Sequence, residues 1–390
     1  MRLPRHTAGL LIALLVIGVT IVAIQRLVPQ RASPATSKVA PARAIPTLES
    51  QQSIAAQQPA AKEPTGPAIP EVQGIHAWVN SEPLTIQGLR GKVVVVDFWT
   101  YTCVNCIRTL PYLKEWQAKY ASRGLVIVGV HTPEFDFEKD LTNVRAAVQK
   151  LGVTWPVALD NDYATWRAYG NRYWPHKYLA DHKGVLRYDH IGEGGYLETE
   201  QRIRKLLTEA GHDVSDIPLG SKESLAGLAD SITRELYAGR ASVLGGYLGN
   251  FPVSREGNTG LYIDPGVHKD GKLYFHGRWE ENEEFMGVAG PGPDGTAYVL
   301  IRYHARGVNA VIQPKGSSGF NLVVELDGKL LPKEVAGDDV SFDSSGNSIV
   351  RVDTPRMYNL VRRSDSEAHE LKLRSNSLDF HLYTFTFSPS

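Results

Sequence analysis

The strongest hydrophobic pattern in the chain is a run of four valines, Val93 to Val96, continued by Asp97, Phe98 and Trp99. β-Branched side chains in an unbroken apolar run are typical of a central strand whose sheet is covered on both faces. This strand leads into Cys103 and Cys106, which open a predicted helix. Unpaired N–H groups and the helix dipole favour thiolate over thiol at such a position, so the pattern predicts a reactive dithiol.

Strands and helices alternate after this helix. The pattern predicts a strand over 125–130, a helix over 138–151, an apolar segment over 153–160, a segment over 173–181 that a hairpin at Gly184 joins to 185–188, and a closing helix over 198–211. Alternation of this kind indicates a sheet with helices on both faces. We therefore predict an α/β domain over residues 76–214, followed by a polar connector over 215–235.

The period of the apolar positions changes to two in the last part of the chain. Short strands are predicted at 272–277, 296–303, 309–312, 320–326, 349–352, 369–373 and 379–387. Asp327-Gly328, between the strand that ends at Leu326 and the residues 329–331, is a strong signal for a tight hairpin. Residues 236–390 are therefore predicted to form an all-β, jelly-roll-like sandwich.

Residues 1–26 are predicted to form a membrane anchor, because the segment from Thr7 to Ile24 contains no charge and is long enough to cross a bilayer core. A cleaved signal peptide is the competing interpretation. Residues 27–75 are rich in Ala, Pro and Gln, a composition that predicts a disordered tether.

The charge balance and the number of cysteines limit the classes of function that the sequence predicts. The 42 basic and 42 acidic residues balance, so a basic surface for nucleic acid is not indicated. The chain has only two cysteines, and both lie in the one motif. A structural disulfide and half of a zinc site are the alternatives to redox chemistry, but no second pair exists to complete a four-cysteine site, and no metal site is predicted. The acidic run at 280–284 is interpreted as a solvated turn rather than a calcium loop.

Three separated features carry a resemblance: Asp97-Phe98-Trp99, the motif Cys103-Val104-Asn105-Cys106, and a later Trp174-Pro175. Together they resemble the thioredoxin superfamily. The longer stretch from Trp99 to Leu113 is similar to the membrane-tethered TlpA-like branch, and most of all to the extracytoplasmic part of DipZ-type proteins. Gly277-Arg278-Trp279 and residues 305–309 resemble the carbohydrate-binding-module-like domain of those proteins.

The resemblance implies a role for each matching residue. Cys103 would attack the substrate disulfide, and Cys106 would resolve the mixed disulfide, so that a redox-active Cys103–Cys106 disulfide is the only cofactor. Asp97 would take or give the proton of the resolving thiol. Pro175 would be a cis-proline facing the dithiol, although an ordinary trans turn is the commoner state of such a bond.

Four further residues complete the predicted site. Glu134 stands where TlpA-like proteins often carry an acid near the active site. Trp174 would offer backbone groups to an extended substrate strand. Trp99 and Tyr101, which flank the motif, are predicted to contact substrate.

The expected function is that of a membrane-anchored thiol-disulfide oxidoreductase, a reductase or isomerase, with its domains on the periplasmic side of the inner membrane. Its partners would be a disulfide-bearing protein substrate and a CcdA/DsbD-like membrane electron donor. Val104-Asn105 leaves the direction of electron flow open. The alternative is a cell-wall or glycan-binding protein, in which exposed aromatics of the second domain would bind sugar; we expect most of these aromatics to lie in the core instead.

Overall fold

The computed structural model describes residues 66–220 and 232–389. The predicted anchor at 1–26 and most of the predicted tether lie outside these ranges. Within them, none of the helices is long and apolar enough to cross a membrane.

The first domain is an α/β domain, as predicted. Its six strands are β1 (Trp78–Val79), β2 (Val93–Trp99), β3 (Leu125–His131), β4 (Val157–Leu159), β5 (His176–Ala180) and β6 (Leu186–Ile191). Its four α-helices are α1 (Val104–Tyr120), α2 (Leu141–Lys150), α3 (Ala164–Ala168) and α4 (Tyr196–Glu209), and short 3₁₀ turns lie at Gln87–Leu89, Ala121–Arg123 and Asp136–Lys139. The strands form one sheet in the order β1-β4-β3-β2-β5-β6.

Strand β2 lies at the centre of this sheet and fixes the place of the dithiol. All seven of its residues are buried, and it pairs parallel with β3 and antiparallel with β5. The valine side chains alternate between two apolar clusters, one on each face of the sheet. Because β2 is covered on both faces, its C-terminal end carries the start of α1 to a fixed position.

The predicted boundary of the tether at residue 75 is wrong. Ala68 forms a β-bridge with Val185, and Ile69 is buried against the sheet face that carries Val94. Glu71 accepts hydrogen bonds from the backbone N–H groups that open the Gln87–Leu89 turn. A Pro-rich segment can add to a sheet edge in extended conformation, and here isolated apolar residues hold it there.

In its described residues the second domain is all-β except for the short helix α5 (Gly239–Leu244), which follows its first strand, and a 3₁₀ turn at Lys333–Val335. Its strands are β7 (Leu236–Tyr237), β8 (Ser254–Glu256), β9 (Thr259–Tyr262), β10 (Lys272–Glu281), β11 (Met286–Gly290), β12 (Tyr298–His304), β13 (Gly307–Pro314), β14 (Phe320–Leu326), β15 (Lys329–Leu330), β16 (Val340–Phe342), β17 (Ser348–Val352), β18 (Arg356–Arg362), β19 (Ala368–Arg374) and β20 (Phe380–Ser388). The predicted all-β character is confirmed, while jelly-roll connectivity stays a prediction.

Strand β10 joins the two halves of this domain. Its first half pairs with β12, in the series β16-β17-β14-β19-β12-β10, and its second half pairs with β11, in the series β10-β11-β20-β13-β18. The change of partner falls at Gly277, whose φ of 99° strongly favours glycine. Side chains from both halves fill one core, in which Tyr303 of β12 stacks on Phe387 of β20 at 5.8 Å.

The two domains pack against each other through aromatic side chains. Tyr383 of β20 meets the rings of Phe135 and Phe137 edge-on, at centroid distances of 5.0 and 4.9 Å. Tyr383 and Val311 belong to the same apolar cluster as the buried face of α1. The second domain therefore supports the helix that carries the cysteines.

Candidate active site

The two cysteines differ sharply in exposure. Cys103 is the N-cap residue of α1 and is half-buried, whereas Cys106 in the first turn is only 1% exposed. The Cys103 sulfur accepts a hydrogen bond from the backbone N–H of Cys106 at 3.3 Å. Both residues are free thiols in the structure. A thiol that an outside disulfide can reach therefore lies beside one that it cannot reach.

The buried thiol holds its proton firmly. Burial raises the pKa of Cys106 well above its usual value, and the neighbouring Cys103 thiol and the charge of Asp97 raise it further. Only a hydrogen bond from Thr100 acts in the opposite direction. Cys106 therefore needs a proton acceptor before it can act as a nucleophile.

Asp97 is the buried acid of this site. Its side chain is 2% exposed, and one carboxylate oxygen has no hydrogen-bond partner among the described residues. Burial raises the pKa of Asp97 to about 7, against the attraction of Lys177. Lys177 is the cross-strand neighbour of Asp97 on β5 and donates a hydrogen bond to the Gly192 carbonyl at 3.0 Å. A carboxyl group with this pKa can exchange protons near neutral pH.

The peptide bond between Trp174 and Pro175 is cis, as predicted. The indole N–H of Trp174 donates to the Thr132 carbonyl at 3.1 Å, and the ring packs on the same apolar cluster as Cys103. Trp174 and Cys103 thus border the same apolar cluster, while the position of Pro175 opposite the dithiol stays a prediction. The contact of the Trp174 backbone with substrate stays a prediction.

Glu138 is a buried acid of the site that the sequence did not reveal. Its carboxylate accepts hydrogen bonds from the Thr102 hydroxyl at 2.5 Å and from the backbone N–H groups of Glu134 and Phe135 at 2.5 and 3.0 Å. Burial nevertheless raises its pKa. Because Thr102 directly precedes Cys103, Glu138 fixes the loop that carries the exposed thiol. Its position three residues after an aromatic N-cap was the only local signal.

The predicted position of Glu134 in the active site is corrected. Its carboxylate accepts a hydrogen bond from the Tyr237 hydroxyl of the second domain, and the same hydroxyl contacts Glu235 at 3.1 Å. Burial, followed by the charges of Glu235 and Glu138, raises the pKa of Glu134 well above its usual value. Glu134 is therefore an interface residue, because the chain turns towards the second domain after β3.

The predicted substrate contacts of Trp99 and Tyr101 are also corrected. The two side chains are 1% and 4% exposed, respectively. Trp99 meets the ring of His131 edge-on, and Tyr101 stacks on the same ring at 5.6 Å. Alternation along β2 and the turn after it directs both aromatics into the core, so neither side chain is exposed on the surface.

Two families match the two domains in turn. The Redoxin family matches residues 64–207. The family described as Thioredoxin like C-terminal domain matches residues 233–388. Both families agree with the division seen in the structure.

Two named relatives show the family to which this chain belongs. Protein DipZ of Mycobacterium tuberculosis (strain CDC 1551 / Oshkosh) is 36% identical over 293 residues, covering 74% of this chain and 40% of DipZ. Thiol-disulfide oxidoreductase YkuV of Bacillus subtilis (strain 168) is 30% identical over 141 residues, covering 36% of this chain and 95% of YkuV. The chain belongs to the thioredoxin superfamily. Its place is the TlpA-like branch, and it spans 40% of the length of DipZ.

A solved structure in the superfamily is also similar in sequence. A thioredoxin-like protein solved in its oxidised form is 31% identical and covers 37% of this chain and 97% of its own, with a TM-score of 0.35.

One ion pair of this thioredoxin-superfamily chain reaches into the dithiol motif. The Arg108 guanidinium bonds both carboxylate oxygens of Glu193, at 2.7 and 2.6 Å, and also the side-chain oxygen of Asn105 at 2.5 Å. Asn105 lies between the two cysteines, so this pair restrains the first turn of α1 against the segment before α4. The partners are 85 residues apart, which is why sequence reasoning missed the pair.

Proposed function

We propose that this chain is a thiol-disulfide oxidoreductase that reduces or isomerises disulfides of protein substrates through Cys103 and Cys106. The observation that carries the proposal is the contrast between a reachable Cys103 and a buried Cys106 beside a carboxyl group of raised pKa. DipZ and YkuV support the proposal through their similarity, and YkuV is itself named a thiol-disulfide oxidoreductase.

The first step is attack of the Cys103 thiolate on one sulfur of the substrate disulfide. The substrate S–S bond breaks, a Cys103–substrate S–S bond forms, and the released substrate thiolate takes up a proton.

The second step releases the substrate. Cys106 gives its proton to Asp97, and its thiolate attacks the Cys103 sulfur of the mixed disulfide. The Cys103–substrate S–S bond breaks as the Cys103–Cys106 disulfide forms, and the second substrate sulfur leaves as a thiolate that takes up a proton. The substrate thus gains two electrons and the chain loses two. An external dithiol donor must then reduce the Cys103–Cys106 disulfide.

The setting of the reaction is part of the proposal. The apolar segment at 7–24 supports a single-pass anchor in the inner membrane, with both domains on the periplasmic side. A CcdA/DsbD-like membrane protein would be the electron donor. A glycan ligand of the second domain has weaker support, since the aromatics Trp279, Tyr303, Phe385 and Phe387 lie in the core.

Insulin reduction by the full chain, with dithiothreitol as electron source, tests the proposal. We expect Cys103→Ser to abolish the activity, because the attacking sulfur is lost. Cys106→Ser should accumulate a Cys103–substrate mixed disulfide, visible by non-reducing electrophoresis and mass spectrometry.

The matched control is Ser341→Cys in a chain with Cys103→Ser and Cys106→Ser, which presents a lone exposed thiol on the second domain. It should stay inactive. Wild-type activity of Cys103→Ser would refute the assignment of the attacking thiol.

A further inference from the structure

A cluster of three ligating side chains lies on the second domain, outside the dithiol site. Asp365 and Glu367 belong to the loop between β18 and β19, and His369 is the second residue of β19. One ligand atom from each of them lies within 4.8 Å of the other two. Neither step of the disulfide exchange proposed above uses these residues.

The imidazole of His369 is oriented as in a metal ligand. Its Nδ1 bonds a carboxylate oxygen of Asp327 at 2.8 Å, and the other oxygen of Asp327 accepts the backbone N–H of Glu370 at 2.9 Å. Because a carboxylate accepts, Nδ1 donates its proton to Asp327, and Nε2 is the ring atom that a metal would bind. In metal sites, the ring nitrogen that does not bind the metal usually donates its proton to a carboxylate or a carbonyl, which fixes the orientation of the ring.

The Nε2 atom of His369 is buried and has no hydrogen-bond partner among the described residues. It lies 3.7 Å from a carboxylate oxygen of Asp365, beyond hydrogen-bond distance. A buried polar atom without a partner costs free energy of folding. A cation bound between Nε2 and the Asp365 oxygen would give both atoms a partner.

Tyr303 gives a second, independent observation. Its side chain is fully buried, and its hydroxyl also has no hydrogen-bond partner among the described residues. Its ring lies beside the ring of His369, at a centroid distance of 6.3 Å. A water ligand of an ion bound by the cluster would give the hydroxyl a partner.

The charge of the cluster fits a divalent cation. Asp327, Asp365 and Glu367 are acidic, and Arg363 is the basic residue that contacts them, through Asp365 at 3.0 and 3.3 Å. The three carboxyl groups outnumber this guanidinium, so the cluster has an excess of negative charge that a divalent ion would offset. One imidazole nitrogen with carboxylate oxygens suits Zn²⁺ and related transition metals, whereas Ca²⁺ prefers oxygen ligands throughout.

We propose that Asp365, Glu367 and His369 bind a divalent transition-metal ion of the Zn²⁺ class, with Asp327 as the residue that positions the imidazole. The sequence predicted no metal site in this chain. The spacing Asp-X-Glu-X-His matches no established motif, and Asp327 joins the cluster only through the pairing of β14 with β19.

Zinc titration of the full chain by calorimetry, with bound metal counted by mass spectrometry, tests the proposal. Every sample carries Cys103→Ser and Cys106→Ser, because a free dithiol would itself bind zinc. We expect one Zn²⁺ per chain. His369→Ala should weaken binding at least tenfold, and Asp327→Asn should weaken it by roughly 10- to 100-fold.

The control is His304→Ala, since His304 is a part-exposed histidine 3.8 Å from Asp270 in the same domain. It should leave the affinity unchanged. Glu367→Gln tests the exposed ligand without disturbing the core and should also weaken binding. Absence of zinc from the parent chain, or unchanged binding in folded Glu367→Gln and His369→Ala chains, would overturn the site.

A Co²⁺ spectrum gives a second readout of the same site. Visible d–d bands should develop on addition of one equivalent of Co²⁺ and should be lost in His369→Ala. Persistence of the bands in that variant would assign the metal elsewhere. Insulin reduction by the wild-type chain is a separate measurement, so failure of the metal site leaves the dithiol proposal untouched.

Discussion

At the scale of single residues, the chemistry depends on a carboxyl group that folding has made a weak acid. Asp97 lies at the end of a central strand, away from water, and Lys177 only partly offsets the cost of its charge. Its pKa rises from 3.8 to about 7. The native chain therefore binds a proton between these two pH values that the unfolded chain has released, and its stability falls as pH rises through this window.

Replacement of this acid should change the pH dependence of folding. Asp97→Asn removes the titration, so the variant should gain stability relative to the wild type as pH rises from 4 to 8. The full gain is on the order of 4 kcal/mol for a shift of this size. Urea unfolding of both chains at several pH values measures the difference directly.

The same variant should slow release of substrate from the mixed disulfide, because Cys106 loses its proton acceptor. Asp189→Asn is the control, since Asp189 is an exposed carboxylate on β6. A constant difference in stability between Asp97→Asn and the wild type at all pH values would contradict the raised pKa.

The sequence revealed the residues of the site that lie near one another in the chain. Cys103, Cys106 and Asp97 form one local motif, and Pro175 was found because the resemblance placed it. Lys177 was not found, because its approach to Asp97 depends on the register of β2 against β5. Trp99 and Tyr101 were placed wrongly, since position beside a motif does not reveal which way a side chain points.

At the scale of elements, the loop before α1 is held by the turn after β3. Glu138→Ala leaves the Thr102 hydroxyl and two backbone N–H groups without their acceptor. An unsatisfied buried donor costs about 1–3 kcal/mol, so we expect a loss of about 3 kcal/mol in the free energy of unfolding. Insulin reduction should slow as well, because the position of Cys103 becomes less defined.

Glu138→Gln should recover part of both losses, since its amide oxygen can still accept hydrogen bonds. Glu283→Ala, at an exposed glutamate of the second domain, is the control and should change stability by less than about 0.5 kcal/mol. Equal stability of Glu138→Ala and the wild type would show that the turn does not hold the loop.

Elements were predicted where their hydrophobic period was clear. The hairpin at Asp327-Gly328 is present, with positive φ at both residues, and β14 has its predicted bounds. Strands β11 and β18 were missed, because glycine interrupts one and polar residues break the alternation of the other. Strand β18 pairs with the distant strand β13, and β11 pairs with the distant strand β20 as well as with its neighbour β10. A local pattern does not contain the pairings with β13 and β20.

At the scale of the whole molecule, the boundary between the domains contains a group of acids. Glu134 and Glu235 share the hydroxyl of Tyr237, with Glu138 and Glu284 close enough to act on the pKa of Glu134. Burial raises the pKa of Glu235 from 4.5 to about 7. Below this pH Glu235 is protonated, and above it Glu235 carries a charge in a buried place next to Glu134.

This arrangement predicts that contact between the domains weakens as pH rises through 7. The sign follows from the raised pKa, since the folded interface keeps a proton that the unfolded chain loses above pH 4.5. Glu235→Gln removes this titration and should make the stability of the interface less dependent on pH. Hydrogen exchange at Leu236 and Tyr237, compared at pH 6 and pH 8 after correction for intrinsic rates, measures the local opening.

In the wild type, protection of these amides should fall between pH 6 and pH 8, whereas in Glu235→Gln it should change much less. Glu256→Gln, at an exposed glutamate on β8, should behave as the wild type does. The same pH dependence in Glu235→Gln as in the wild type would show that another group titrates at the interface. Since Tyr383 of the second domain packs on the turn that holds Glu138, loss of this contact should also slow insulin reduction at the higher pH.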